Sequence, residues 1–276
     1  MSIFHAIVLG IVQGLSEFLP ISSSGHLLLV PWLFGWQDFA GQPSLEKTFD
    51  VALHLGTLIA AVAYFRHDLL RYLKAGLRPS QKGTQDFRLA WFLVASAIPA
   101  AITGALFSDV IERRTGSIWL IGTMLIVFGL VLGWADRRPG TRALEEASVR
   151  DVVIVGLAQA AALQPGVSRS AVTISAGRVA GLGRDGAARF AFLMSIPITA
   201  GALLFTATDV ANAGGIPEGF LAPFLWGMVA SGITGWLAVW GLLRLLKTHS
   251  FTPFVIYRVV LGVAVLGLYA LRGGAG

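Results

Sequence analysis

The chain contains no cysteine, which excludes disulfides, thiolate catalysis and cysteine-held metals and leaves the redox compartment unspecified. Charge is also scarce, because Asp, Glu, Lys and Arg together make up only 13% of the 276 residues. No polar stretch is long enough to fold as a separate soluble domain, the longest running from 66 to 88. The amino-terminal segment has no basic run before its apolar residues, and Glu17 and Pro20 interrupt it where a signal peptide would stay apolar, so it reads as mature structure. What the chain has in quantity is hydrocarbon. Hydrophobic residues make up 55% and the mean hydropathy is +0.73, which predicts an integral membrane protein. The net charge of +6 is spread over short loops rather than gathered in a patch, which argues against nucleic acid and marks these residues as topology signals.

A helix needs about 20 apolar residues to cross a hydrocarbon core about 30 Å thick. Six stretches qualify: roughly 49–65, 89–107, 118–135, 188–206, 221–245 and 254–271. Residues 66–88 hold six Lys/Arg and 136–150 hold four, whereas 108–117 hold two and 207–220 none. The positive-inside rule places the first pair of loops in the cytoplasm and the second pair outside, with both termini outside.

Residues 3–37 and 152–180 are apolar enough to enter the membrane, but each is interrupted by a proline-containing polar turn. If both crossed completely, the basic loops would no longer share a side. They therefore read as re-entrant hairpins, whose non-helical turns are tolerated at depth only inside protein or beside a wet cavity. The hairpins also resemble each other. Setting Gly10 on Gly156 puts Gln13 on Gln159, Ser22 on Ser168, Ser24 on Ser170 and Ser23 opposite Arg169. Farther on, "KTFDVALHLGTLIA" (47–60) lies over "ARFAFLMSIPITAG" (188–201), and "AITG" (101–104) over "GITG" (232–235). The expected fold is an all-α, polytopic membrane protein forming a single membrane domain over 1–276, with six full transmembrane helices and two re-entrant hairpins. Its repeats span about 1–138 and 148–276. Each carries three spans, an odd number, so the second copy is inverted.

Inverted repeats with broken helices place half-helix N-termini at a shared midplane site. Here the returning helices begin near Ser23/Ser24 and Ser168/Ser170, so two positive dipole ends face one another and define a site for an anion. Gln13 and Glu17 share one helix face, and a carboxylate at membrane depth is expensive enough to be a functional candidate. A structural ion pair with Arg169 is the plainer alternative for Glu17, and the two roles are compatible. Arg169, in "PGVSRSAVT" (165–173), is a planar, permanently charged fork suited to phosphate. In "SSSGH" (22–26) a seryl hydroxyl can attack phosphorus given a base, Gly25 allows close backbone approach, and His26 lies three residues from Ser23. His26 can equally be the nucleophile or the acid for the leaving group. His54 and Asp50, one turn apart, either reach the cavity or pair with each other. Arg178, Arg184 and Arg189 are expected to snorkel to the cytoplasmic interface.

"QGLSEFLPISSSGH" (13–26) and "PGVSRSAVT" together resemble the two signature motifs of the bacterial undecaprenyl pyrophosphate phosphatase family, which is associated with bacitracin resistance. The resemblance covers length, hydropathy and the late "FTPFVIYR" (251–258), hence nearly the whole chain. It implies hydrolysis of undecaprenyl pyrophosphate to undecaprenyl phosphate and inorganic phosphate at the outer face of the bacterial inner membrane, recycling the lipid carrier for cell-wall synthesis. It implies Ser23 as the favoured nucleophile, His26 and Glu17 in proton transfer and orientation, and Arg169 on phosphate. Gln13, Ser22, Ser24, Gly25, Gly166, Ser168, Ser170 and Thr173 complete the expected substrate-binding set. A divalent cation, Mg²⁺ or Ca²⁺, is also implied, with Glu17 as its ligand, alone or with Gln13; where other members place Glu, this chain has Gln13, so the metal is expected to ride mainly on the diphosphate. The expected partners are the polyprenyl pyrophosphate and membrane lipids, with no nucleic acid and a homodimer left open. Type 2 phosphatidate phosphatases also use "SGH" and "SR", but Arg169 here is followed by "SAVTISAG" rather than a His and Asp. The competing function is an anion transporter or lipid-phosphate flippase using the same site without bond cleavage.

Overall fold

The computed structural model describes residues 1–39, 42–114, 117–212 and 216–274. Eleven α-helices and no strand occur among them: α1 Ile3–Phe18, α2 Ser23–Phe34, α3 Pro43–Tyr64, α4 Arg66–Gly76, α5 Gln85–Arg114, α6 Ile118–Asp136, α7 Val149–Ala161, α8 Arg169–Val179, α9 Arg184–Asn212, α10 Leu221–Leu245 and α11 Thr252–Leu271. Among the described residues, five stretches are long and apolar enough to cross a membrane: Gln85–Leu106, Ile118–Asp136, Arg184–Leu204, Leu221–Leu245 and Thr252–Leu271. Ser44–Tyr64 joined to Arg66–Gly76, bent by 79°, brings the number to six. The 66–88 segment, expected to be a polar connection, thus contains a helix of its own.

Local chemistry explains where the helices begin and end. Ser2 caps α1 by accepting from the His5 N–H at 3.0 Å, and Pro20, which lacks an N–H, lies two residues beyond its last turn. Ser148 and Asp151 form a capping box on α7, with the Ser148 N–H donating to Asp151 Oδ2 at 2.8 Å. α3 and α11 carry proline in their first turn, where the missing donor is harmless.

Small residues bring helix backbones into contact. On α1, a side chain at Gly10 would strike the Gly227 carbonyl of α10, and one at Gly14 would strike Thr234 and Ser231. Gly156 of α7 meets the Ser96 carbonyl of α5 in the same way, a Cβ there falling 3.0 Å from the oxygen. Close approach through small residues is how helices associate where lipid leaves no hydrophobic driving force between them. The outward faces are correspondingly apolar: α11 buries Arg258, Gly262 and Val265 while Ile256, Val260 and Val263 face outward. A core of Phe18, Phe65, Phe190, Phe192 and Leu132 lies inside, with Phe18 edge-on to Phe192 at 5.4 Å.

Arg178 does not snorkel: it is buried, and its guanidinium donates to the carbonyls of Asp136, Arg138, Gly140 and Leu182. The bend between α6 and α7 and the turn after α8 supply those acceptors, so this charge ties loops together.

Candidate active site

Two turns meet inside the bundle. One, at 19–22, joins α1 to α2; the other, at 162–168, joins α7 to α8. Each ends on a serine with positive φ, 81° at Ser22 and 75° at Ser168, the only such non-glycine residues among those described. Each serine then caps the helix it starts, Ser22 Oγ accepting from the Gly25 N–H at 3.4 Å and Ser168 Oγ from the Ala171 N–H at 3.2 Å. A left-handed non-glycine conformation costs about 1 kcal/mol or more and persists only where the surroundings over-determine it.

Those surroundings cross from one turn to the other. Ser22 Oγ also accepts from the Gly166 N–H at 3.2 Å, and Ser170 Oγ donates to the Leu19 carbonyl at 3.2 Å. Behind both turns lies Arg258 of α11, fully buried. Its guanidinium donates to the carbonyls of Pro20 (3.2 Å), Gly166 (2.8 Å), Val167 (3.1 Å), Leu125 (3.2 Å) and Met124 (3.3 Å). Sequence reasoning assigned Arg258 no role, although the signal was present in "FTPFVIYR": a cation inside a span is expensive and marks a function.

In front of the turns lies a cavity of about 350 Å³. Its polar wall includes Glu17, Ser23, Ser24, Lys47, Asp50, His54, Ser168 and Arg169, and its apolar wall includes Val51, Ala100, Leu163, Ile198, Ala202 and Leu203. Glu17 is the hub. Its Oε1 receives Arg169 Nη2 in an ion pair between the two turns, and its Oε2 accepts from Ser23 Oγ at 2.7 Å and Gln13 Nε2 at 3.1 Å. Arg169 Nη1 donates to Thr199 Oγ1 at 3.0 Å, which holds the guanidinium plane against α9. The combination provides a hydroxyl hydrogen-bonded to a carboxylate, beside a cation and two helix N-termini, and is suited to an anionic ligand attacked by an alcohol.

The structure brings Glu17, Ser23, Ser24, Ser168 and Arg169 together on the cavity wall. The remaining expected residues stand behind the cavity wall. Ser22 and Gly166 form the turn-to-turn bond already described; Gly25 supplies the N–H that Ser22 caps; Ser170 and Thr173 bond to backbone carbonyls. His26 does not line the cavity. Its Nδ1 donates to the Ser22 carbonyl and its Nε2 accepts from the Tyr257 hydroxyl, each at 2.7 Å. The three-residue spacing from Ser23 turns the ring toward α11, because Ser23 is only the first residue of α2.

A resident Mg²⁺ or Ca²⁺ does not fit the donors present. Such ions take six or more oxygen ligands, typically carboxylates, carbonyls and waters. No cluster of three His, Asp or Glu able to hold a metal occurs among the described residues. Glu17 is already neutralised by Arg169, and Gln13 adds one neutral, unpartnered oxygen, Oε1.

The fold and cavity define a class: a multi-pass, all-helical membrane protein whose internal cavity has a polar wall suited to an anionic group. Residues 6–264 match the family described as bacitracin resistance protein BacA, and the chain belongs to that family. Its relatives include a protein of Geobacter sulfurreducens named undecaprenyl-diphosphatase, 49% identical over 277 residues, covering 99% of this chain and 100% of the relative. A protein of the same name from Pelotomaculum thermopropionicum is 47% identical over 273 residues, covering 99% and 98%. A third, from a Nocardioides species, is 45% identical over 271 residues, covering 96% of each.

Proposed function

We infer that the chain is an undecaprenyl-diphosphatase, hydrolysing undecaprenyl pyrophosphate to undecaprenyl phosphate and inorganic phosphate and so conferring the bacitracin resistance for which its family is named. The observation that carries the reading is the Glu17 carboxylate, held by Arg169 across the two turns while Ser23 donates to its other oxygen at 2.7 Å. A carboxylate hydrogen-bonded to a seryl hydroxyl is what activation of that hydroxyl as a nucleophile calls for, and binding an anion without bond cleavage leaves the pairing without a task.

Arg169 and the N-termini of α2 and α8 receive the diphosphate, and the prenyl chain leaves along the apolar wall. Ser23 Oγ attacks the terminal phosphorus as its proton passes to Glu17 Oε2; the bond from that phosphorus to the bridging oxygen breaks, and undecaprenyl phosphate departs. Positioning and electrostatics dominate such transfers. His26, held between Ser22 and Tyr257, orients the turn that carries Ser23. A divalent cation enters as the diphosphate's counter-ion, Mg²⁺ or Ca²⁺, and no protein residue is assigned to it.

The finer topology belongs to the same proposal: six spans, two re-entrant hairpins, inverted repeats, and a site opening to the outer face of the inner membrane with both termini outside. Length supports the hairpins, since α1, α2, α7 and α8 have 16, 12, 13 and 11 residues and fall short of a bilayer at 1.5 Å per residue. Packing supports the repeats. The hairpin alignment pairs Gly10 with Gly156, the span alignment pairs Ser96 with Gly227, and Gly10 lies on the Gly227 carbonyl just as Gly156 lies on that of Ser96.

The test is phosphate release from undecaprenyl pyrophosphate by detergent-purified protein with Mg²⁺ or Ca²⁺, comparing wild type with Arg169→Ala, Ser23→Ala and Glu17→Ala. Loss of release by roughly two orders of magnitude or more in each variant is expected. Absence of release by wild type, in protein that still moves lipid phosphate across vesicles, would sink the enzyme reading.

A further inference from the structure

The cavity holds a histidine that the mechanism above leaves unused. His54, on α3 one turn after Asp50, lines the cavity beside Glu17. Its Nδ1 lies 2.7 Å from the Asp50 carbonyl oxygen, which can only accept, so Nδ1 carries the proton and donates. The other nitrogen, Nε2, is 3.8 Å from Glu17 Oε2. This is the oxygen to which Ser23 Oγ donates at 2.7 Å, so nucleophile and imidazole approach one carboxylate oxygen from two different helices. His26 is differently placed, with both its ring nitrogens taken by Ser22 and Tyr257 outside the cavity wall. With Nδ1 committed to the Asp50 carbonyl, Nε2 is the ring nitrogen that faces Glu17 Oε2, at the edge of the cavity a phosphoryl group on Ser23 would enter.

We propose that His54 is the general base of the second half-reaction. Resting on Ser23 as nucleophile, the step begins from phosphoserine 23 with Glu17 protonated. A water attacks phosphorus as its proton passes to His54 Nε2; the bond from phosphorus to Ser23 Oγ breaks, and Oγ recovers the proton held by Glu17. Inorganic phosphate leaves, and His54 returns its proton to solvent. Atoms and charges balance with no added reactant. The two carboxylate oxygens divide the work: Oε1 is occupied by Arg169, and Oε2 serves Ser23 in both directions. That occupancy is the physical reason a second base is required, because Glu17 still holds the first proton when water must be deprotonated. Lys47 and Asp50 from α3, Ser24 from α2 and Thr199 from α9 are among the other polar groups that line the same cavity.

The experiment uses the full chain in detergent and undecaprenyl pyrophosphate radiolabelled on its terminal phosphate, with wild type, His54→Gln, His54→Ala, Ser23→Ala and the double variant His54→Gln/Ser23→Ala. Removing a general base costs roughly 10²-fold or more in turnover. The expected result for His54→Gln is one rapid release of undecaprenyl phosphate, slow phosphate release thereafter, and label retained on the protein; the label is absent from the double variant. Added imidazole is expected to restore turnover in His54→Ala, which a misfolded protein would not allow. Turnover of His54→Gln within about threefold of wild type would overturn the proposal, as would a slow variant that retains no label. Normal turnover by Ser23→Ala would instead overturn the nucleophile assignment, so the two failures are distinguishable.

Discussion

Arg258→Met tests whether the site is assembled from behind. The guanidinium donates to five carbonyls, of which those of Met124 and Leu125 lie within α6 and keep their helical N–H partners. The other three, on Pro20, Gly166 and Val167, belong to the two turns. Orphaning a buried acceptor costs about 1–3 kcal/mol, so three cost roughly 3–9 kcal/mol. Against that, the native arginine has no carboxylate within ion-pair distance among the described residues, and relieving its own desolvation offsets several kcal/mol. A net loss near the lower bound, about 3 kcal/mol, is expected, or roughly 6 °C or more in melting temperature. With eight tryptophans and no cysteine, the chain suits melting by intrinsic fluorescence in detergent. Activity should fall further than stability, because the turns that present Ser23 and Arg169 lose their common anchor. Arg258→Lys keeps a charge but cannot reach five acceptors, and should fall between wild type and Met. An Arg258→Met protein that melts within a degree of wild type and retains full turnover would refute the reasoning.

Gly166→Ala should destabilise the protein by about 3 kcal/mol in the same melting assay, whereas Gly104→Ala should be nearly neutral. At Gly166 φ is +91° and an added Cβ would lie 2.7 Å from the Ile121 carbonyl oxygen, while at Gly104 it meets nothing within 4 Å. Arg169→Lys should lower kcat/KM by roughly tenfold to a hundredfold, since an ammonium cannot hold Glu17, Thr199 and phosphate together; wild-type kinetics in that variant would remove the guanidinium's special role. Chelating divalent cations should raise the apparent KM more than it lowers kcat, since the ion arrives with the diphosphate; an unchanged KM with abolished kcat would point to a protein-held metal. Single cysteines replacing Thr84 and Glu218 should react with impermeant thiol reagents from opposite sides of the membrane, and labelling from one side would undo the inverted topology.

Much of the site was legible before folding. A carboxylate and an arginine in apolar surroundings carry an insertion penalty that only function or pairing offsets, so Glu17 and Arg169 stood out, and the structure joins them. In the two segments that resemble each other, 3–37 and 152–180, Ser22 and Ser168 both adopt a positive φ. What sequence spacing could not decide was direction. His26 and His54 each lie near polar residues along the chain, and only the folded chain brings Tyr257 of α11 to one ring and Glu17 of α1 to the other. Arg258 carries the same insertion penalty in the sequence, but its acceptors are backbone carbonyls, which no side-chain motif announces.

By itself, then, the sequence determined the solvent, the helical class and the residues too costly to be idle, because hydropathy and charge are local properties of each segment. Tertiary structure alone decided which of them meet. Glu17 and Arg169 are 152 positions apart along the chain, and Pro20 and Arg258 are 238 apart. Their contacts depend on glycines that let α1 and α7 approach α10 and α5 at backbone distance, and on turns whose strained serines are held from behind. Such distances follow from how helices pack, and packing sums over the whole chain.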